Sequence, residues 1–210
     1  MRLLHPRLWI VALILASLLG TQLAPLAAAQ EATPMAAECT GPKADTEHLL
    51  SLWFDADHNP VATPETPGLQ AVTGPEVTLQ MGKPANAATI AGVSETVTAV
   101  FNCFVAGDFL GALAYFTDDL IASSFGPESG VTYEQAEDFL NTPPEPDPDQ
   151  STLVSVANVM ELDNGQAGAF VIERRPNGED IASYGTFVKE GDLWKVDKIY
   201  DFPSADDSND

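Results

Sequence analysis

Apolar positions change rhythm along this chain. From Asn86 onward, Ile90, Val93, Val97, Val100, Phe101 and Phe104 recur with a helical period, which predicts a helix from Ala87 to about Ala106 with one buried stripe. Asn86 is its N-cap and Gly107 its stop. Asp108 caps a second short helix, Phe109 to Phe116, apolar nearly all round; Thr117-Asp118-Asp119 ends it, and Leu120 to Ser123 reads as a short strand. After a loop marked by Gly126, Pro127 and Gly130, Thr132 and Gln135 form a capping box for a third helix ending near Leu140. The last third is β: Thr152 to Leu162, Gln166 to Arg175, Ile181 to Lys189 and Leu193 to Asp201. Asn164-Gly165 carries a type I′ hairpin signal, and the other two connections are also short. The pattern predicts an α+β domain over residues 86–203, with three N-terminal helices packed on one face of a curved antiparallel four-stranded meander.

The residues before Asn86 have a different texture. Residues 30–85 hold Pro34, Pro42, Pro60, Pro64, Pro67, Pro75 and Pro84, which exclude long regular elements. One short helix is predicted there, capped by Asp45 or Thr46, with Leu49, Leu52 and Trp53 on the face that docks on the domain. Residues 1–29 read as a secretory signal peptide. Arg2 and Arg7 precede an apolar run from Leu8 to Leu19 broken only by Ser17, and Ala27-Ala28-Ala29 offers a cleavage site before Gln30. The run falls short of the ~20 residues a membrane span needs, with an uncleaved anchor as the alternative. The protein is therefore expected outside the cytoplasm, secreted, periplasmic or at the cell surface, and off the membrane once the signal is removed. An acidic connector runs from Pro143 to Asp149, and the acidic tail 204–210 is expected to be disordered.

Charge narrows the field. Nine Lys and Arg against 31 Asp and Glu give a net charge of −22, which argues against nucleic acid and against docking on anionic lipid. Two cysteines are too few for a disulfide framework or a four-cysteine zinc site. In an oxidising compartment Cys39 and Cys103 are expected to pair; a buried free thiol at Cys103 and an intermolecular link at Cys39 are the alternatives.

Three places carry a family resemblance: the helix pair Phe101-Asn102-Cys103-Phe104-Val105-Ala106-Gly107-Asp108-Phe109, the exit Ala114-Tyr115-Phe116-Thr117-Asp118-Asp119, and the closing hairpin from Phe187 through Glu190-Gly191-Asp192 to Ile199. In this order they resemble the nuclear-transport-factor-two-like (SnoaL-like) superfamily, the cystatin-like cone fold. The likeness covers Asn86 to Phe202 and is strongest to exported bacterial members with a cysteine in the first helix and a proline-rich extension. It implies a cone-shaped cavity between helices and sheet. Relatives use that cavity as ketosteroid isomerases, polyketide cyclases or dehydratases, or use it and the sheet for binding and dimerisation, so the fold does not decide the function.

The candidate chemistry is thin. His48 and His58 are the only histidines beyond the signal segment, and both lie in the extension, so a histidine–carboxylate dyad cannot form inside the cone from its own residues. Asp118 and Asp119 read as turn and cap residues, and Asp197 as solvent-facing. Five residues are candidates to line the pocket. Glu173 shares strand parity with Ala169 and Val171, the rival being a solvent pair with Arg174, Arg175 or Lys189. Asn158 interrupts the series Val154, Val156, Met160 as an inward polar group. Tyr115 and Tyr184 offer hydroxyls or serve as core aromatics, and Trp194 reads as core. Asp55, Asp57 and Asn59 mimic the start of a calcium loop, but Pro60 stands where glycine is needed and Thr66 where the bidentate acid belongs. No metal and no cofactor are expected. The expectation is a non-catalytic domain binding a small apolar molecule or a protein partner. An acid–base enzyme of the isomerase, dehydratase or cyclase type is one alternative, and a structural module forming a homodimer through the sheet is another.

Overall fold

Asn86 does what an N-cap does: its side chain accepts from the backbone N–H groups of Ala88 and Thr89 at 2.9 and 3.0 Å. In the computed structural model, which describes residues 38–61, 69–71, 79, 82–127 and 130–202, the long helix α2 runs from there as Ala87–Val105. The signal segment and the acidic tail lie outside the described residues. All of those described belong to the unit Ala36–Asp210. Upstream of α2 are helix α1 (Thr46–Trp53) and the short strands β1 (Leu69–Ala71) and β2 (Lys83–Pro84). Downstream come α3 (Phe109–Leu113), α4 (Asp118–Ser124) and α5 (Tyr133–Leu140), then β3 (Thr152–Glu161), β4 (Ala167–Arg174), β5 (Asp180–Glu190) and β6 (Leu193–Asp201).

Two local readings are corrected. Leu120 to Ser123 is helical, not a strand. Thr117-Asp118-Asp119 starts α4 rather than merely ending α3: Thr117 accepts from the Leu120 N–H at 3.3 Å, and both aspartates sit in the first turn, where the helix dipole favours negative charge. Helix α3 stops at Leu113 because the next residues pair with β6, the Val196 N–H donating to the Tyr115 carbonyl and the Thr117 N–H to the Val196 carbonyl. The Asn164-Gly165 turn is not type I′. Only Gly165 has positive φ (+82°), and the Gly165 N–H donates to the Leu162 carbonyl while the Leu162 N–H donates to Gln166. This is the longer hairpin closed by a left-handed glycine. The capping box of Thr132 and Gln135 is present, as is the cap of Asp108 on α3.

The sheet has six strands in the order β1-β6-β5-β4-β3-β2. The predicted meander β3 to β6 is its centre. The extension adds the two outer strands, β1 parallel to β6 and β2 antiparallel to β3. Local hydrophobic pattern could not reveal these additions, because two or three residues on a sheet edge carry no periodicity of their own. Three register shifts bend the ladder, around Val154, at Asn158 and Val159, and at Asp197.

Strand alternation sorts the core into two layers. Ala167, Ala169 and Val171 of β4, Phe187 of β5 and Val196 of β6 face the helices and join Val93, Val97, Val100, Leu113, Phe116, Leu120 and Ile121. Met160, Leu162 and Tyr184 form a second cluster on the opposite face, packed by Phe170, Tyr200, Phe202 and, from the extension, Leu79. The Cys39–Cys103 disulfide is formed, with Cα atoms 4.3 Å apart and Cys103 fully buried. Beside it the Ala44 N–H donates to the Leu110 carbonyl, and Lys43 pairs with buried Asp108 at 2.8 Å. Helix α1 buries Leu49, Leu50 and Trp53, so Leu50 takes the central place expected for Leu52, which is only partly covered.

Candidate functional site

Between α2 and the sheet lies a cavity of about 310 Å³. Helix α2 contributes Val97, Val100, Phe101 and Phe104, and the connections around α4 contribute Phe116 and Phe125. These project inward because 97, 100, 101 and 104 share one helical face. The floor is Val171, Ile181, Gly185, Phe187, Val196 and Ile199. Gly185 keeps the floor low: a methyl group there would stand 3.0 Å from the Phe187 ring.

The polar lining gathers at one end, where β4 and β6 finish and β3 and β5 begin: Gln150, Ser151, Glu173, Ser183 and Asp201. Glu173 is half-buried on β4 opposite Ile181, and Asp201 ends β6 opposite Ser183. Burial holds the Glu173 carboxyl above the usual glutamate range; Asp201's charge adds to this, while a hydrogen bond with Ser151 and the charge of Arg175 oppose it. Asp201, exposed at the rim of the cleft, is also held above its usual range, by partial withdrawal from water first, against the opposing charge of Arg175. Two carboxylates therefore share the polar end of the cleft with Gln150, Ser151 and Ser183. Arg175 is exposed and paired with Glu179 at 3.3 Å.

Of the five sequence candidates, Glu173 lines this cavity. Tyr115 is buried, but its hydroxyl reaches out to the Thr40 carbonyl at 3.5 Å, on the side of the extension. Tyr184 is fully buried on the other face of the sheet, its phenol pushed up by burial first and by Tyr200 second. Asn158 is exposed, not inward: it occupies the left-handed region (φ +50°) in the β3 bulge, so the extra residue turns it out of the series it interrupts. Trp194 is on the helix side, stacked over Gly92 of α2, and its carbonyl accepts from Thr96 Oγ1 at 2.7 Å. Sequence reasoning missed Asp201, Ser183, Ser151 and Gln150. The parity of Ser183 with Phe187 was the available signal.

The histidines stay in the extension's docking surface. His48 Nε2 lies 3.0 Å from Asp118, and His58 stacks on the Tyr133 ring at 3.7 Å. In the calcium-like loop, Asp55 uses its carboxylate on its own turn, accepting from the backbone of Asp57 and Asn59 at 2.9 Å. Those hydrogen bonds, Asn59's first, hold its pKa below the usual range. Among the described residues no group of three or more His, Cys, Asp or Glu is placed to hold a metal ion.

No protein-family model matches the chain, and no curated protein matches it. Among solved structures, one described as an Ntf2 like protein involved in plasmid conjugation is similar over 70% of this chain and 53% of its own, at 15% identity and a TM-score of 0.38. The chain thus spans about half of that structure's length. At this TM-score the likeness carries no argument. The α+β cone assignment rests on the strand order, the helix-covered face and the cavity described above.

Proposed function

We propose that the chain is an exported, non-catalytic cone domain that binds a small, largely apolar molecule between α2 and the sheet. The observation that carries this reading is the cavity wall. Phenylalanine and valine side chains enclose about 310 Å³, with polar groups confined to one end. That is the usual make-up of a small-molecule site, in which apolar walls give affinity and a few polar groups give orientation. Export is supported by the signal pattern of residues 1–29 and by the Cys39–Cys103 bridge, since such bridges persist in oxidising compartments. Titration of the mature protein with the neutral fluorophore N-phenyl-1-naphthylamine tests the reading. Saturable binding at one site per chain is expected, and Ser183→Phe, which fills the polar end of the cleft from β5, should weaken it at least about tenfold with an unchanged circular dichroism spectrum. Absence of saturable binding by the wild-type chain refutes it.

One observation favours a second reading, acid–base catalysis of the isomerase, dehydratase or cyclase type. Glu173 is a half-buried carboxyl beside an apolar wall, held above its usual range by burial, the direction in which a buried general base is tuned. Against it, no histidine or tyrosine is among the described residues lining the cleft. Turnover of an isomerase or dehydratase substrate that disappears in Glu173→Gln, with binding retained, would favour the enzyme. The third possibility, a homodimer through the sheet, has to contend with an outer-face cluster that Leu79 of the same chain already packs. Sedimentation of the mature protein decides it.

A further inference from the structure

The two carboxylates at the polar end constrain what can occupy the cleft. Glu173 and Asp201 stand on strands β4 and β6, one on each side of β5; Asp201 lies opposite Ser183 and Glu173 opposite Ile181, two residues nearer the start of β5, and all four line the cavity. No lysine, arginine or histidine is among the described lining residues. The cation that acts on both carboxylates, Arg175, lies beyond the end of β4 and is engaged by Glu179. One shared, exposed arginine leaves this end of the cleft net negative. An anionic head group there meets like charge, and a neutral one leaves the negative charge as it is, with Glu173 held by Ser151 and Asp201 open to solvent; a cation offsets it. The net charge of −22 draws cations toward the protein but does not by itself place them in a cleft.

We propose that the ligand of this cavity is a cationic amphiphile, an apolar body the size of a short alkyl or aryl chain with an ammonium or amidinium head set between Glu173 and Asp201. This rests on the reading of the cone as a binding pocket. The charge of Arg175, acting on both carboxylates from beyond the end of β4, weakens their attraction for such a head group.

Calorimetric titration with octylammonium, 1-octanol, octanoate and tetramethylammonium tests it, in about 150 mM salt to screen the general surface charge. Octylammonium should bind about tenfold or more tighter than 1-octanol or octanoate. Tetramethylammonium, a cation without the apolar body, should not bind measurably. Glu173→Gln/Asp201→Asn should bring octylammonium to within about twofold of 1-octanol while leaving 1-octanol unchanged. Arg175→Ala should tighten octylammonium alone, an effect that a merely structural role for these residues would not produce. Octanol or octanoate binding as tightly as octylammonium overturns the cationic assignment and leaves the binding reading standing. If none of the three eight-carbon probes binds, both fall. The ranking of probes on the wild-type chain needs no variant, so a poorly folding double substitution does not remove the test.

Discussion

Removal of the Cys39–Cys103 bridge by Cys39→Ala/Cys103→Ala should destabilise the domain by an amount the chain length sets. The bridge closes a sequence separation of 64 residues. Loop closure of that length removes about 14 cal/mol/K from the unfolded ensemble, roughly 4 kcal/mol at 25 °C. Unfolding entropy near ~2.1 cal/mol/K per residue, for a unit of about 170 residues, converts this into a fall in Tm of about 12 °C. Alanine suits the test because Cys103 is fully buried and keeps an apolar group of similar placement. Differential scanning calorimetry of wild type and variant at one pH is the assay, with a free-thiol count of zero in denatured, unreduced wild type as the control. Gly111 supplies an internal cross-check. A helical Gly→Ala change ordinarily gains about 0.5–1 kcal/mol. Here the added methyl would overlap Cys39 Sγ and stand 3.1 Å from Cys103 Sγ and Asp108 Cγ. Gly111→Ala should therefore destabilise the bridged protein and cost much less in the bridge-free background. A Tm loss below about 3 °C, or an identical Gly111→Ala effect in both backgrounds, would refute the reasoning.

Three further outcomes follow from the same structure. Glu173→Gln should raise stability at neutral pH, because a carboxyl whose folded pKa is raised favours folding fully only below its unfolded pKa and loses that contribution as pH rises through the folded value. The gain should vanish on acidification through the usual carboxyl range, and urea midpoints at pH 4 to 8 check it. Asn158→Gly should leave the domain as stable or gain up to about 1 kcal/mol, whereas Asn158→Val should lose more than about 1 kcal/mol, since β-branched side chains resist φ +50°. Asn86→Ala should cost about 1–2 kcal/mol, through the cap on Ala88 and Thr89 and the 2.6 Å hydrogen bond its amide donates to Glu161, read from chemical unfolding.

Local chemistry made much of the fold legible. The caps at Asn86, Asp108 and Thr132 and the stop at Gly107 are decided by one or two residues, and all are present. What failed depended on partners far along the chain. Thr117-Asp118-Asp119 suits a helix end or a helix start, and the pairing of Tyr115 and Thr117 with Val196 decides between them. The outer strands β1 and β2 exist through their neighbours β6 and β3. The site divides in the same way. Counting in twos from Ala169 and Val171 allows Glu173 a place on the cavity side, with the solvent side as the rival, and the unshifted pairing of β4 with β5 puts it on the cavity side. Asp201 escaped the same counting. The bulge at Asp197 moves the helix-facing set from 196, 198, 200 to 196, 199, 201, and only the register with β5 reveals it.

The parallel pairing of β1 with β6 bears on how the chain matures. Leu69 aligns with Ile199, so residues 130 positions apart have to meet before this rung can form. Until β6 is seated on β5, β1 has no ladder to join, and until β1 arrives the flank of β6 stays bare. So distant a closure places β1 among the late contacts of assembly and makes this flank the edge through which a half-built sheet can associate wrongly.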